Sequence, residues 1–162
     1  MDDKLRHKLF ADQIELARAA GKVLEESRSR VEVFLQAATQ GAPLSVEQRE
    51  SCEALTSRFA RLCDLLIQRL FRTLDQIELV DEGTILDRLS RAEKRRIISS
   101  AEEWRELREL RNEIAHDYLI ESSDRVLTEA HRRSPVLLET IEKIAVYART
   151  KGYVSSGQSL LS

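Results

Sequence analysis

The sequence predicts an all-α protein, an up-and-down bundle of four or five helices that includes one long helix. Only five glycines and two prolines interrupt the 162 residues, too few for the many turns of an all-β fold. Apolar residues recur at steps of three, four and seven along most of the chain, as they do on the buried face of an amphipathic helix. A chain of this length is expected to form one domain, which we place at residues 1–152, followed by a frayed tail at 153–162.

The first half of the chain predicts two helices. The first covers residues 4 to about 38 and ends at the segment TQGAPLS, whose glycine and proline are stop signals. Ser45 is a candidate N-cap for the next helix, which continues from 46 to about 80. Thirty-odd residues form a rod of about 50 Å, which is longer than the average helix of a globular protein and either spans the domain or projects into a partner.

The second half predicts shorter helices. After the break VDEGT, one or two short helices carry the basic sequence DRLSRAEKRR. Ser100 then caps a penultimate helix, and Glu103 stands at the capping-box spacing from it. A last helix covers residues 124 to about 150. It is either kinked or restarted at Ser134 and Pro135, because serine at the N-cap and proline at the first position fit a new start.

The charge pattern leaves room for a local basic surface. A net charge of −2 predicts no overall attraction to nucleic acid. Between Arg88 and Arg111, however, eight arginines and lysines face five glutamates, which makes that segment locally +3. A solvated helical face is the simpler interpretation, and a small nucleic-acid footprint is the alternative.

Other features predict a cytoplasmic protein without a cofactor. Cys52 and Cys63 lie about 16 Å apart along one predicted helix, too far to bond to each other, and reduced cysteines are typical of a reducing compartment. The N-terminal sequence lacks the apolar region of a signal peptide, and no apolar run is long enough to cross a membrane. We find no metal-ligand spacing and no glycine-rich phosphate loop.

The segment RNEIAHDY, residues 111–118, concentrates four candidate site residues: Arg111, Asn112, His116 and Tyr118. On a wheel of 100° per residue, Arg111 falls at the centre of the apolar face. An arginine there is costly unless it pairs with a carboxylate of a neighbouring helix or opens onto a water-filled cleft. His116 lies about 140° away on the polar side, together with Asn112, and Tyr118 would by default be a core aromatic.

One helix therefore does not bring Arg111 and His116 to the same point. Three explanations remain open at this stage. The long arginine side chain curls round the helix, the helix distorts near its end, or a second chain completes the pocket.

RNEIAHDY resembles the signature of the HEPN superfamily, in which an arginine and a polar residue precede a histidine. With the added tyrosine it has the form Arg-x-x-x-x-His-x-Tyr, which is similar to HepT-like toxins paired with a minimal nucleotidyltransferase antitoxin. The resemblance implies a metal-independent endoribonuclease that acts as a homodimer, with the motifs of two chains facing one cleft and RNA as the substrate.

The resemblance also implies a role for each residue of the motif. His116 would act as general base or acid at the RNA 2′-hydroxyl or the leaving oxygen, and Arg111 would stabilise the charge on the phosphate in the transition state. Asn112 would orient these groups, and Tyr118 would be the residue that the antitoxin silences by adding AMP. The alternatives are a non-catalytic helical protein that binds nucleotide or substrate for a nucleotidyltransferase, and a scaffold with an accidental motif.

Overall fold

In a computed structural model that describes residues 1–116 and 124–155, the chain forms helices, with no strand in these two ranges. The all-α prediction is confirmed. When the continuous stretch 46–77 is counted as one segment, the described ranges contain five helical segments of ten or more residues, which agrees with the predicted four or five. The elements are α1 (Asp3–Glu32), α2 (Leu35–Thr39), α3 (Val46–Asp64), a π-helical stretch (Leu65–Leu70), α4 (Phe71–Ile77), α5 (Ile85–Lys94), α6 (Ala101–His116) and α7 (Asp124–Thr150).

The predicted caps begin their helices. Ser45 forms a capping box with Gln48 at the start of α3, with hydrogen bonds of 3.1 and 2.9 Å in the two directions. The backbone N–H of Glu103 donates to the Ser100 hydroxyl at the start of α6, at 3.2 Å. Each cap satisfies backbone donors that the first turn of a helix leaves unpaired.

The first predicted helix is in fact two. α1 ends at Glu32, and α2 begins at Leu35 after a short turn. Phe34 and Leu35 still pack against the core, so the apolar spacing continues across the turn. Because the periodicity is uninterrupted there, the sequence pattern did not indicate the break.

The predicted long helix is a continuous rod from Val46 to Ile77 with an irregularity in its middle. Over Leu65–Leu70 the backbone adopts the π-helical i→i+5 pattern, and the N–H of Phe71 donates to the carbonyl of Leu66. π turns inside α-helices often occur at functional sites. This one directly follows Asp64, the last residue of α3.

α7 continues through Pro135 as a single helix, so neither a restart nor a new N-cap occurs at Ser134. A proline inside a helix has no N–H to donate to the carbonyl four residues earlier, which here belongs to His131. Arg28 of α1 supplies the missing donor, because its Nε donates to that carbonyl at 3.3 Å.

Within the described ranges, no helix has both the length and the apolar composition required to cross a bilayer. Cys52 and Cys63 are free thiols. Most of the predicted tail lies beyond the described residues, although Tyr153 is half-buried and donates to Glu78 at 3.2 Å.

Candidate functional site

An open groove of about 690 Å³ lies between α1, the rod of α3 and its π turn, and α6. Its lining combines apolar residues with four arginines. Its lining residues are Leu16, Ala20, Arg61, Asp64, Leu65, Ile67, Gln68, Arg69, Arg108, Arg111 and Asn112.

The packing of α6 brings Arg111 to this groove. The helix buries Trp104, Leu107 and Leu110, and the Trp104 ring lies 5.2 Å from the ring of Phe71. Arg111 lies on the same face of α6 as these residues, next to Leu110, where the helix begins to project beyond the core. Its side chain is 32% exposed, so the guanidinium is neither in the core nor free in solvent.

Asp64 of α3 holds the guanidinium of Arg111 from one side. Nε and Nη2 donate to Oδ1 and Oδ2 of Asp64, each at 2.7 Å. This pairing raises the pKa of Arg111 and outweighs burial, which acts in the opposite direction. Nη1 also lies 3.4 Å from Oδ1 of Asn112. Two parallel hydrogen bonds to one carboxylate fix the plane of the guanidinium.

The pair leaves part of the arginine available to a ligand. A guanidinium has five N–H donors in a fixed fork. Asp64 accepts from the side-on edge, which consists of Nε and one N–H of Nη2. The other edge consists of the second N–H of Nη2 and an N–H of Nη1. That edge can donate to an anionic oxygen that enters the groove.

Asp64 is a site residue that the sequence analysis did not identify. The position of Arg111 on the wheel indicated a carboxylate on a neighbouring helix as one alternative, but many acidic residues satisfied that description. The two residues are 47 positions apart in the chain. No local motif connects them, so only the packing of α3 against α6 selects Asp64.

The other motif residues have different positions. Asn112 lines the groove beside Arg111. His116, the last residue of α6, is exposed and is not among the lining residues. Tyr118 lies outside the described residues. A single chain thus brings Arg111, Asn112 and Asp64 together and leaves His116 apart from them.

The basic segment between Arg88 and Arg111 does not form one surface. Arg91 of α5 and Arg95, which directly follows α5, bind the fully buried carboxylate of Asp75 at 2.8 and 2.7 Å, and the guanidinium of Arg88 approaches it as well. These three arginines belong to an interior ion-pair network, so neither a solvated face nor a nucleic-acid footprint describes them.

Only Arg108 and Arg111 from that segment reach the groove. Its other two arginines, Arg61 and Arg69, come from α3 and the π turn. In residues 1–116 and 124–155, no three histidine, cysteine, aspartate or glutamate side chains come close enough to hold a metal ion. The side chains that line the groove are instead suited to holding an anion such as a phosphate.

The family profile described as ribonuclease HepT-like matches residues 24–144 of this chain. That range is about three quarters of the sequence and includes both Asp64 and the whole of RNEIAHDY. Neither the curated proteins nor the solved structures give a significant match.

Proposed function

Because the chain belongs to the HepT-like ribonuclease family, we propose that it is a HEPN-type toxin, a metal-independent endoribonuclease whose active site is shared by two copies of the chain. One observation carries this proposal. Arg111 is fixed by Asp64 in an arginine-rich groove, and among the described residues only the amide oxygen of Asn112, 3.4 Å from Nη1, accepts from the rest of its guanidinium.

Arg111 is the proposed electrostatic catalyst. During cleavage, negative charge builds on the non-bridging oxygens of the scissile phosphate. A donor that is already oriented stabilises this charge without having to reorganise. The bidentate pair with Asp64 supplies such an orientation, and Asn112 supports it from the adjacent position.

His116 is the proposed proton-transfer group, because imidazole exchanges a proton readily near neutral pH. The 2′-oxygen of the RNA attacks the adjacent phosphorus as its proton passes to His116, and the bond between phosphorus and the 5′-oxygen breaks. The departing 5′-oxygen takes a proton from solvent water, and His116 afterwards returns its proton to the solvent. The products are a 2′,3′-cyclic phosphate and a 5′-hydroxyl.

The separation of Arg111 from His116 supports a shared site. The two residues point about 140° apart on α6, and His116 does not line the groove that holds Arg111. In a twofold dimer, the same patch of each chain contacts the other. His116 of one copy is therefore proposed to complete the groove of the second copy.

A complementation experiment tests this arrangement. Arg111→Ala and His116→Ala proteins are each expected to be inactive. If arginine and histidine come from different chains, mixing the two restores one complete site per heterodimer, about a quarter of wild-type activity after random exchange. If both residues act within one chain, no heterodimer has a complete site and the mixture stays inactive. Light scattering of the wild-type protein measures the dimer directly.

The reaction itself is tested with the purified full-length protein and RNA in the presence of EDTA. We expect cleavage that leaves 2′,3′-cyclic phosphate ends. His116→Ala should reduce the rate by at least about 100-fold, as expected for loss of a general acid–base group, with an unchanged circular dichroism spectrum. His7→Ala is the matched control, because His7 packs against Tyr153 and is not a lining residue of the groove. RNA that remains intact with a wild-type dimer would refute the ribonuclease.

A cognate nucleotidyltransferase is the proposed antitoxin, and Tyr118 the proposed acceptor of AMP. A bulky anionic group two residues after His116 would repel a phosphate chain from the site. With such a partner and ATP, the protein should gain the mass of one AMP and lose cleavage activity. Tyr118→Phe should prevent both changes, and persistence of the mass gain in that variant would contradict the assignment.

A non-catalytic partner of a nucleotidyltransferase is the second candidate. The observation that favours it is the position of Asp64, which occupies one of the two edges of Arg111 that could hold a phosphate with two hydrogen bonds. This alternative predicts nucleotide or partner binding without cleavage, and binding that survives His116→Ala. The cleavage assay distinguishes the two.

A further inference from the structure

We propose that Arg61, Arg69 and Arg108 form a subsite for the RNA backbone, which holds the phosphates that flank the scissile phosphate at Arg111. The inference rests on the proposed function for the choice of RNA as the ligand. Its physical basis is a groove that collects arginines without carboxylate partners.

Most arginines of this protein are neutralised locally. Twelve of the twenty have a carboxylate of a described residue within 4.0 Å. Arg61, Arg69 and Arg108 have no such partner among the described residues, and all three line the same groove. The hydroxyl of Ser57 accepts from Arg61 at 3.2 Å, which leaves the charge of that arginine uncompensated.

The charge of the groove is opposite to that of the chain. Four arginines and one aspartate line it, which gives a formal charge of +3, whereas the whole protein carries −2. A concave surface of one sign raises the local concentration of an oppositely charged ligand. A polyanion is therefore drawn to this face although the protein as a whole is acidic.

The π turn contributes to this concentration of charge. In a regular α-helix, Asp64 and Arg69 would point about 140° apart. The i→i+5 hydrogen bonds of Leu65–Leu70 place residues five apart nearly above one another. Asp64 and Arg69 both line the groove, together with Arg61.

The shape of the groove favours a flexible single strand. It is open, and its lining includes the exposed side chain of Leu16, an apolar surface against which the flat face of an unpaired base can lie. Proteins that bind single strands combine a positively charged groove with apolar or aromatic contacts to the bases. Backbone contacts of this kind set affinity and register and do not discriminate between sequences.

The test measures binding separately from cleavage. The probe is a fluorescent single-stranded oligonucleotide of 2′-O-methyl RNA, which lacks the 2′-hydroxyl that the proposed reaction requires. Its affinity for the full-length protein is measured by anisotropy across a range of salt concentrations. The test variant is R61Q/R69Q/R108Q. The control is R30Q/R49Q/R149Q, which removes three exposed arginines that lie outside the groove and have no carboxylate partner in residues 1–116 and 124–155.

Both triple variants lose three positive charges. A difference in RNA affinity between them therefore depends on where the arginines lie and not on the net charge. Each phosphate contact to a single strand contributes about 0.7 to the slope of log K against log salt. The groove variant should lower that slope by about 2, and the control should change it little. Between 50 and 200 mM salt, the wild-type protein should then lose roughly 20-fold more affinity than the groove variant.

A cleavage assay distinguishes failure of the subsite proposal from failure of the ribonuclease proposal. If the wild-type protein cleaves RNA, the groove variant should raise KM for a long RNA much more than KM for a dinucleotide, because a dinucleotide has no flanking phosphates. Equal salt slopes for the two triple variants would overturn the subsite and leave the ribonuclease intact. Binding loss confined to the groove variant, without cleavage by any form, would support the subsite and remove the ribonuclease. Equally tight binding of AMP and the oligonucleotide would show a mononucleotide pocket and overturn the strand subsite.

Discussion

Replacing Asp64 with asparagine should separate the stability of this protein from its activity. The carboxylate is 43% exposed and its partner guanidinium 32% exposed, so solvent screens the pair. Ion pairs of this exposure contribute about 1 kcal/mol or less to folding. For a chain of this size, that corresponds to a decrease in Tm of no more than about 4 °C.

The effect on catalysis should be larger than the effect on folding. Asparagine keeps one oxygen acceptor and replaces the other with an NH₂ group, which cannot accept from Arg111. One of the two hydrogen bonds at 2.7 Å is lost, and the guanidinium can then rotate. Misplacement of a catalytic group by about 1 Å costs up to about 100-fold in rate, so we expect kcat to fall by about 10- to 100-fold.

The substitution should affect substrate binding in the opposite direction. It removes the only negative charge among the groove-lining residues of the described chain, so KM for RNA should stay constant or decrease. Cleavage kinetics with the full-length protein measure both constants, and thermal unfolding measures stability. Asp12→Asn is the matched control, since Asp12 is an exposed aspartate of α1 without an ion pair among the described residues.

A result in which Asp64→Asn lowers Tm by 10 °C or more and leaves kcat unchanged would refute this reasoning. The pair would then be a folding contact, and Arg111 would need no orientation from it. An increase in kcat would also contradict it, because the carboxylate would then act as an inhibitor of Arg111.

Three further predictions concern the scaffold. Asp75→Asn should reduce the free energy of unfolding by about 3 kcal/mol or more in urea titrations, because it removes the fully buried carboxylate that Arg91 and Arg95 share; a loss below 1 kcal/mol would show that Glu78 and solvent compensate these arginines. Burial lowers the pKa of His131 below its ordinary value of 6.5, and the charge of Arg28 acts in the same direction. The folded state therefore loses stability as pH falls below about 6.5, and His131→Gln should reduce the difference in unfolding free energy between pH 7.5 and pH 5.5; an unaltered difference would exclude His131. Gly21→Leu should destabilise the protein by about 1–3 kcal/mol, since even a Cβ at that site meets Ile141 at 3.0 Å, whereas Gly21→Ala should cost less because the contacted atom is the end of a flexible side chain; equal Tm values for the two variants would contradict this packing argument.

Local chemistry explains which elements were predictable. Ser45 and Ser100 were identifiable as caps because a cap depends on residues three positions apart. The continuity of α7 through Pro135 was not, because it depends on Arg28, which donates to the carbonyl of His131 103 positions away in the chain. The turn after Glu32 was missed for a related reason, since apolar spacing indicates which residues are buried and does not indicate whether the helix between them is continuous.

The sequence by itself determined the helical class, the positions of most helices and the segment RNEIAHDY, because periodicity, capping and short motifs are properties of neighbouring residues. Tertiary structure decided what surrounds Arg111. It selected Asp64 as the partner, formed a groove from three separate helical segments, and moved the arginines of α5 into an interior network with Asp75. The physical reason is that an ion pair or a groove depends on which helix faces pack together. No local sequence pattern indicates that two charged residues 47 positions apart will form an ion pair.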